Sequence, residues 1–349
     1  PKVESYTTTG TGESPLASIN DWVNTECPSC GKAAKRETNT MPQWAGSCWY
    51  FLRYLDPHNT ETLASKEAID YWMPVNLYVG GAEHAVLHLL YSRFWHKVLF
   101  DLDIVSTNEP FLRLINQGMI LGEGGVKMSK SLGNVINPDD VVKDFGADSM
   151  RLYEMFLGPL EVSKPWSTQG LSGVHRFLDR VWRIAERGIS DDPAPENLVM
   201  VLHKTIKKVS HDTGEIEFNT AIAQMMIFVN EAFKVDPMPR VVWDPFVRLL
   251  APYAPHIAEE LWEALGNPAP IANATWPEYD ESKTLESELT VVVQINGKVR
   301  SKFQIAAGTG KTDMEKLAFQ APRVGELTEG KEIVKVICVP DKLVNIVVK

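Results

Sequence analysis

The stretch Val75-Asn76-Leu77-Tyr78-Val79, followed by Gly80-Gly81 and then Glu83-His84, restricts the fold of this chain more than any other. The short apolar run reads as a buried strand and the glycine pair as a tight turn. Leu87, Leu90, Tyr91, Phe94 and Val98 then recur at helical spacing, which predicts a helix opening at Glu83 with one apolar face against a sheet. A strand, a glycine turn and a helix N-terminus make the nucleotide crevice of an open α/β sheet, because backbone N–H groups and the helix dipole face the ligand there. His84 and His88 are four residues apart and share a face of that helix. The order Glu83-His84-Ala85-Val86-Leu87-His88 is not that of a zinc-binding HExxH helix, so substrate contact is expected of them rather than metal.

Leu114 to Leu121 reads as another sheet element. It delivers a glycine-rich turn, Gly122-Glu123-Gly124-Gly125, and then Lys127-Met128-Ser129-Lys130-Ser131-Leu132-Gly133-Asn134. Two lysines on a mobile loop can fold over a bound polyanion. Their ammonium groups help catalysis most when they meet charge that grows only in the transition state. A bare pair of lysines among serines is an ordinary solvated loop, and only the full pentapeptide is specific. Asn137-Pro138-Asp139-Asp140 then caps a following helix.

At 349 residues the chain can hold two or three domains, and no apolar run approaches membrane-spanning length. The opening Pro1-Lys2-Val3-Glu4-Ser5-Tyr6 lacks an initiator Met and a signal peptide, and reads as the start of a fragment. A net charge of −10 argues against non-specific nucleic-acid binding by the whole surface, although local basic faces remain possible. The residues up to about 25, with Thr7-Thr8-Thr9-Gly10-Thr11-Gly12, read as an irregular connector. Four cysteines do not suggest a disulfide scaffold. Cys27-Pro28-Ser29-Cys30 is half of a zinc knuckle, but no second pair completes it, so bound zinc is not favoured and no metal ligands are assigned. The run from Met41 to Tyr54 carries more aromatic rings than a small core needs.

From about residue 166 the pattern turns helical. Arg176, Arg180, Arg183 and Arg187 step by 4, 3 and 4 along one side of a helix whose neighbouring stripe is Phe177, Val181 and Ile184. Such a row suits an RNA backbone, and it also suits a plain solvated face diluted by Asp179 and Glu186. After a linker at 191–195, helices are expected from Ala221 to Phe233 and from Phe246 to Leu265, the latter broken at Pro252 and Pro255. In the tail, Asn296-Gly297 joins two strands as a type I′ hairpin, and two further strands flank Pro340-Asp341, with one helix between Asp313 and Ala321. Gly308-Thr309-Gly310-Lys311-Thr312 fails as a P-loop on spacing.

Lys127 to Ser131 resembles the KMSKS signature of class I aminoacyl-tRNA synthetases. With Gly12 to Leu16, Arg36 to Pro42, Tyr78 to Ala85, Ala251 to Trp262 and Gln294 to Lys298, the chain resembles the bacterial leucyl-tRNA synthetase family, from the end of its editing insertion to its C-terminus. The resemblance implies a multidomain chain: a partial α/β Rossmann-like catalytic domain (1–165), an all-α anticodon-stem-binding bundle (166–285), and a small α/β C-terminal tRNA-binding domain (286–349). It implies activation of leucine by ATP, accompanied by Mg2+, and transfer to tRNA(Leu). By position, Trp44, Ser47, Tyr78, His84 and His88 would line the leucine pocket. Gly80, Gly81 and Glu83 would meet the ribose, and Met119 and Ile120 the adenine. Lys127 and Lys130 would hold phosphates within the ATP loop of Lys127, Met128, Ser129, Lys130 and Ser131, while the four arginines would meet tRNA.

The family's His-x-Gly-His motif and its editing domain are absent from these residues, so the partner required is the N-terminal half, in cis or as a separate subunit. Cys48 stands where a Ser is common and Asn39 where an Asp is common. A cytoplasmic protein without membrane contact is expected. The alternatives are a stand-alone tRNA-binding module and another class I synthetase.

Overall fold

The computed structural model describes every residue except Thr9, Glu286, Ser287 and Ala307, with Glu288 described by its backbone alone. The expected domain boundary between 285 and 286, and part of the threonine-rich connector, therefore lie outside the described residues. The chain forms two compact units: Pro1–Met119 with Glu161–Ser163, and Ile120–Leu160 with Lys164–Lys349.

In the first unit the strand Tyr78–Gly81 pairs in parallel with Leu114–Gln117, Gly80 lying opposite Asn116. Gly80 and Gly81 thus end the strand rather than forming the turn, and Val75 contributes a single bridge to Phe111. A 3-10 turn, Ala82–Ala85, follows, and the α-helix opens only at His88 and runs to Asp101. Its phase also differs from expectation. The buried residues are His88, Leu89, Ser92 and His96, while Leu90, Phe94 and Val98 are exposed. His88 sets this phase, because both of its ring nitrogens are hydrogen-bonded inside the unit, and leaving a buried polar group unpaired would cost more than exposing one aliphatic stripe. Phe51, Leu52, Ile69, Met73 and Val105 form the small core beneath.

Farther along this helix, His96 is 1% exposed and shares a hydrogen bond of 3.1 Å with the Thr107 hydroxyl. Burial pushes its pKa below the usual imidazole value. The unfolded chain therefore takes up that proton first as the pH falls. The stability gained by keeping the ring neutral is complete above the unfolded value of about 6.5 and is lost as the pH falls below it. Melting temperatures measured across that range are expected to drop more steeply for the parent than for His96→Gln; parallel slopes would remove His96 from the account.

The expected sheet element from Leu114 to Leu121 is broken into two. Leu114–Gln117 belongs to the first unit, while Ile120–Leu121 pairs in parallel with Lys164–Pro165 in the second. The break lies at Gly118. A Cβ there would stand 2.3 Å from the carbonyl carbon of Val162 and 2.4 Å from the amide nitrogen of Ser163, and the Met119 amide donates to the Ser163 hydroxyl at 3.1 Å. Because the obstacle is backbone, Gly118→Ala is expected to cost about 2–3 kcal/mol by overpacking. Urea titration beside Gly310→Ala, where a Cβ meets nothing within 4 Å, checks this, and equal midpoints would refute it.

The second unit is mostly helical. Asn137 caps Pro138–Phe145 by accepting from the Asp139 amide, as its sequence predicts. Ala147–Phe156, Thr168–Glu186, Glu196–Gly214, Phe218–Ala232, Arg240–Leu250 and Pro255–Ala264 follow. They share one core that includes Leu171, Val174, Phe177, Val181, Ile184, Leu202, Met225, Trp243 and Phe246. Buried Asp148 joins two of these helices by accepting from the Ile257 amide (2.8 Å) and from His256 Nδ1 (2.8 Å) at the start of Pro255–Ala264.

A separate four-stranded sheet follows, ordered Lys298–Ala306, Glu288–Ile295, Leu343–Val348, Ile333–Val339, with a parallel central pair and antiparallel outer pairs. Asn296 and Gly297 both take positive φ in the first hairpin, as a type I′ turn demands. The helices Lys311–Gln320 and Val324–Thr328 complete the core around Val291, Val293, Val344 and Ile346. No helix among the described residues is long and apolar enough to cross a membrane.

Candidate functional site

In the first unit the site grows around His88. Its Nε2 lies 2.9 Å from the Ser47 carbonyl oxygen and its Nδ1 3.0 Å from the Tyr78 hydroxyl. A carbonyl can only accept, so Nε2 carries a proton and donates to Ser47, while Nδ1 shares a hydrogen bond with the Tyr78 hydroxyl. The Tyr78 ring stacks on it at 5.6 Å, and burial pushes the Tyr78 hydroxyl pKa up, favouring the protonated donor. The Ser47 hydroxyl donates to the Trp44 carbonyl at 3.1 Å, closing the short helix Trp44–Ser47. Trp44 meets His84 edge to face at 6.3 Å. Trp44, Ser47, Tyr78, His84 and His88 are thus neighbours in one unit. Tyr50, with its ring 5.8 Å from His88, and Phe111, 4.7 Å from Tyr78, belong to the same aromatic wall and were not singled out from sequence. His84 Nδ1 has no hydrogen-bond partner and lies 3.6 Å from the Glu83 carboxylate.

Gly80 and Gly81 are buried at the end of the strand, and the exposed Glu83 carboxylate folds back over Gly81, where a Cβ would stand 2.4 Å from it. Met119 ends the first unit, half of its surface exposed, and Ile120 begins the second, packed on the helical core.

The lysine loop lies wholly in the second unit. Gly124 and Gly125 take positive φ values, and the Gly122 amide donates to the Val126 carbonyl at 2.8 Å, which turns the chain tightly before Lys127. Asn134 then fastens the loop from inside. Its Oδ1 accepts from the Ser129 amide at 2.9 Å and its Nδ2 donates to the Lys127 carbonyl at 3.3 Å. The Ser129 hydroxyl caps the 3-10 turn Lys130–Leu132, which Gly133 ends in the left-handed region. Half-buried Met128 packs against the helical core. With Met128 turned in and the backbone held by Asn134, Lys127 and Lys130 are exposed and have no ion-pair partner among the described residues. Two unpaired ammonium groups three residues apart, on a fastened loop, suit a phosphate chain.

The arginine row has mixed surroundings. Arg180 donates to Asn230 Oδ1 at 2.7 Å and stacks over Phe233, Arg187 stacks over the same ring at 3.9 Å, and Arg183 pairs with Asp179 at 3.0 Å. Of the four, only Arg176 has no polar partner among the described residues. The same helix turns His175, Asp179 and Trp182 toward a hollow of about 490 Å³ lined also by Phe145 and His256.

Two family models match the chain: tRNA synthetases class I (I, L, M and V) over residues 18–161, and the anticodon-binding domain of tRNA ligase over residues 196–315. A solved structure of the agnB2 LeuRS of Agrobacterium radiobacter K84, in a ternary complex with tRNA and LeuAMS, is similar with a TM-score of 0.76 and 34% identity. The similarity covers 99% of this chain and 47% of that one, so the chain spans about half the length of this relative.

Proposed function

Because this chain belongs to the class I tRNA synthetases, we propose that it supplies the pyrophosphate-holding and tRNA-binding parts of a leucine-tRNA ligase that works in the cytoplasm. The fastened loop presenting Lys127 and Lys130 without partners carries this reading. In the reaction the leucine carboxylate attacks the α-phosphorus of ATP and pyrophosphate departs. Lys127 and Lys130 neutralise the charge that accumulates on the departing group, and Met128, Ser129 and Ser131 give the loop its shape. Mg2+ would arrive on ATP, held mainly by phosphate oxygens and screening their charge.

Trp44, Ser47, Tyr78, His84 and His88 form the leucine side of the pocket, with His88 fixing Tyr78. Glu83 accepts from ribose hydroxyls beside Gly80 and Gly81, where the lack of a side chain lets the sugar approach, and Met119 and Ile120 flank the adenine. Arg176, with Arg180, Arg183 and Arg187 along the same helix, faces the tRNA backbone. The uncovered stripe of Leu90, Phe94 and Val98 supports a further polypeptide half, in cis or as a separate subunit, completing the catalytic domain.

The deciding experiment is leucine-dependent ATP–pyrophosphate exchange by this chain, alone and after addition of an N-terminal half bearing the His-x-Gly-His motif. Exchange only in the mixture, and with leucine rather than isoleucine, valine or methionine, is the expected result. Absence of exchange in both, with salt-sensitive tRNA binding retained, would leave the chain a tRNA-binding module.

A further inference from the structure

The base of the lysine loop is tied to the helix that carries the arginine row, through side chains to which the chemistry above gives no role. Directly after the strand pair Ile120–Leu121 and Lys164–Pro165, the Trp166 amide donates to the Leu121 carbonyl at 2.8 Å. Its indole Nε1 donates to the Thr168 hydroxyl at 3.3 Å, and that hydroxyl donates to the Glu123 carboxylate at 3.4 Å. The polarity of this relay is fixed. An indole N–H can only donate and an ionised carboxylate can only accept, so the single Thr168 hydroxyl proton goes to Glu123.

The anchoring end is packed in place. Trp166 is 5% exposed and meets the buried Tyr153 ring edge to face at 4.9 Å. The Tyr153 hydroxyl accepts from the Ser167 amide at 2.7 Å, and the Ser167 hydroxyl caps Thr168–Glu186 by accepting from the Gly170 amide at 3.3 Å. Gly170 leaves room for the Tyr153 ring, since a Cβ there would stand 2.9 Å from it. Thr168 is therefore the first residue of a fixed helix, and the Glu123 carboxylate meets the positive end of its dipole.

The other end is built to turn. Glu123 is the last side chain before Gly124 and Gly125, which both lie in the left-handed region at φ +80° and +79°, and a Cβ at either would meet nothing within 4 Å. Lys127 follows two residues later. The chain is thus clipped at Leu121 and again at Glu123, and beyond them it passes through two glycines that can pivot.

We propose that Glu123 is a positioning residue of the lysine loop: held by Thr168, it fixes the pivot at Gly124-Gly125 to the first turn of the arginine-bearing helix and so sets where Lys127 and Lys130 stand. Its effect on catalysis rests on the reading of these lysines as pyrophosphate holders, while the latch itself does not. Glu123 is exposed, so the bond adds little to global stability and its consequence falls on the loop. Without it the lysines sample more positions, and fewer of these meet the departing pyrophosphate in productive geometry.

Two measurements test the latch and its consequence. In this chain by itself, amide hydrogen exchange over residues 122–133 is followed for the parent, Glu123→Ala, Glu123→Gln and Thr168→Ser. Glu123→Ala is expected to exchange these amides at least about threefold faster, with the helical core unchanged. The glutamine oxygen still accepts and the serine hydroxyl still donates, so those two variants are expected to stay near the parent. In the enzyme assembled with its N-terminal half, Glu123→Ala is expected to lower kcat for leucine-dependent ATP–pyrophosphate exchange about tenfold, with the KM for leucine unchanged and Glu123→Gln restoring the rate. Unchanged loop exchange in Glu123→Ala would overturn the latch. Faster loop exchange with an unaltered kcat would overturn the positioning role, and so would a glutamine variant as impaired as the alanine one. An assembled parent without leucine-dependent exchange would remove the reading of the lysines and the catalytic consequence with it, and hydrogen exchange would still decide the latch.

Discussion

Lys130→Ala in the assembled enzyme is expected to slow leucine-dependent ATP–pyrophosphate exchange by about 10²–10⁴-fold, the scale of losing one cation aimed at charge that develops in the transition state. The loop should survive the change. Its shape depends on Asn134, Ser129 and the inward-packed Met128, none of which touches the Lys130 ammonium. The loss should therefore fall mainly on kcat and only slightly on the KM for ATP, because the contact strengthens as pyrophosphate departs. An exchange rate equal to the parent's would remove Lys130 from catalysis. A rise in KM alone would make it a ground-state contact.

Trp243→Ala is expected to destabilise the second unit by about 3–5 kcal/mol. Trp243 is fully buried, and its ring stacks on Phe246 at 5.2 Å, which stacks in turn on Phe228 at 4.7 Å. This ladder ties Arg240–Leu250 to Phe218–Ala232. Truncation leaves a cavity at one end of a column whose other members cannot close it without leaving their own rotamers. Urea unfolding followed by far-UV circular dichroism measures the cost, with Trp243→Phe expected to lose less than half as much. A shift within about 0.5 kcal/mol for the alanine variant, the scatter of ordinary surface substitutions, would show that the ladder repacks.

The parts of the fold legible in the sequence were those dictated by local rules. Asn296-Gly297 makes its hairpin because both positions need positive φ. Asn137-Pro138 starts its helix because its oxygen and missing donor suit that end. The apolar stripe of Thr168–Glu186 is buried as its period requires. Where long-range hydrogen bonds decided, local periodicity failed. The helix after Gly81 took its phase from the bonds of His88 to Ser47 and Tyr78, which lie 41 and 10 residues away, and so turned Leu90 and Phe94 outward. Glu196–Gly214 went unassigned although Leu198, Leu202, Ile206 and Val209 carry its core face. Arg240–Leu250 begins six residues before the expected Phe246 because Pro245 is tolerated inside it. The carbonyl that Pro245 leaves without a helical donor belongs to Val241, an exposed residue.

The candidate site was legible as residue types and only partly as geometry. Lysines, glycines and imidazoles could be picked out as residue types, with their roles drawn from the resemblance. That Ser47 offers its carbonyl rather than its hydroxyl to His88, and that Asn134 fastens the lysine loop, depends on backbone paths that spacing does not encode.

The return of Glu161–Ser163 to the first unit, after the chain has already built the lysine loop and two helices of the second, has a practical consequence for dissecting this protein. No single cleavage releases either unit whole. A cut after Met119 strips the first unit of Glu161–Ser163, two residues of which Gly118 packs against, and a cut before Lys164 takes the lysine loop away from the later helices of its unit. Limited proteolysis should therefore give nicked chains that stay together until denatured. A clean excision of either unit requires residues 161–163 to be removed from the second unit's stretch and joined to the first.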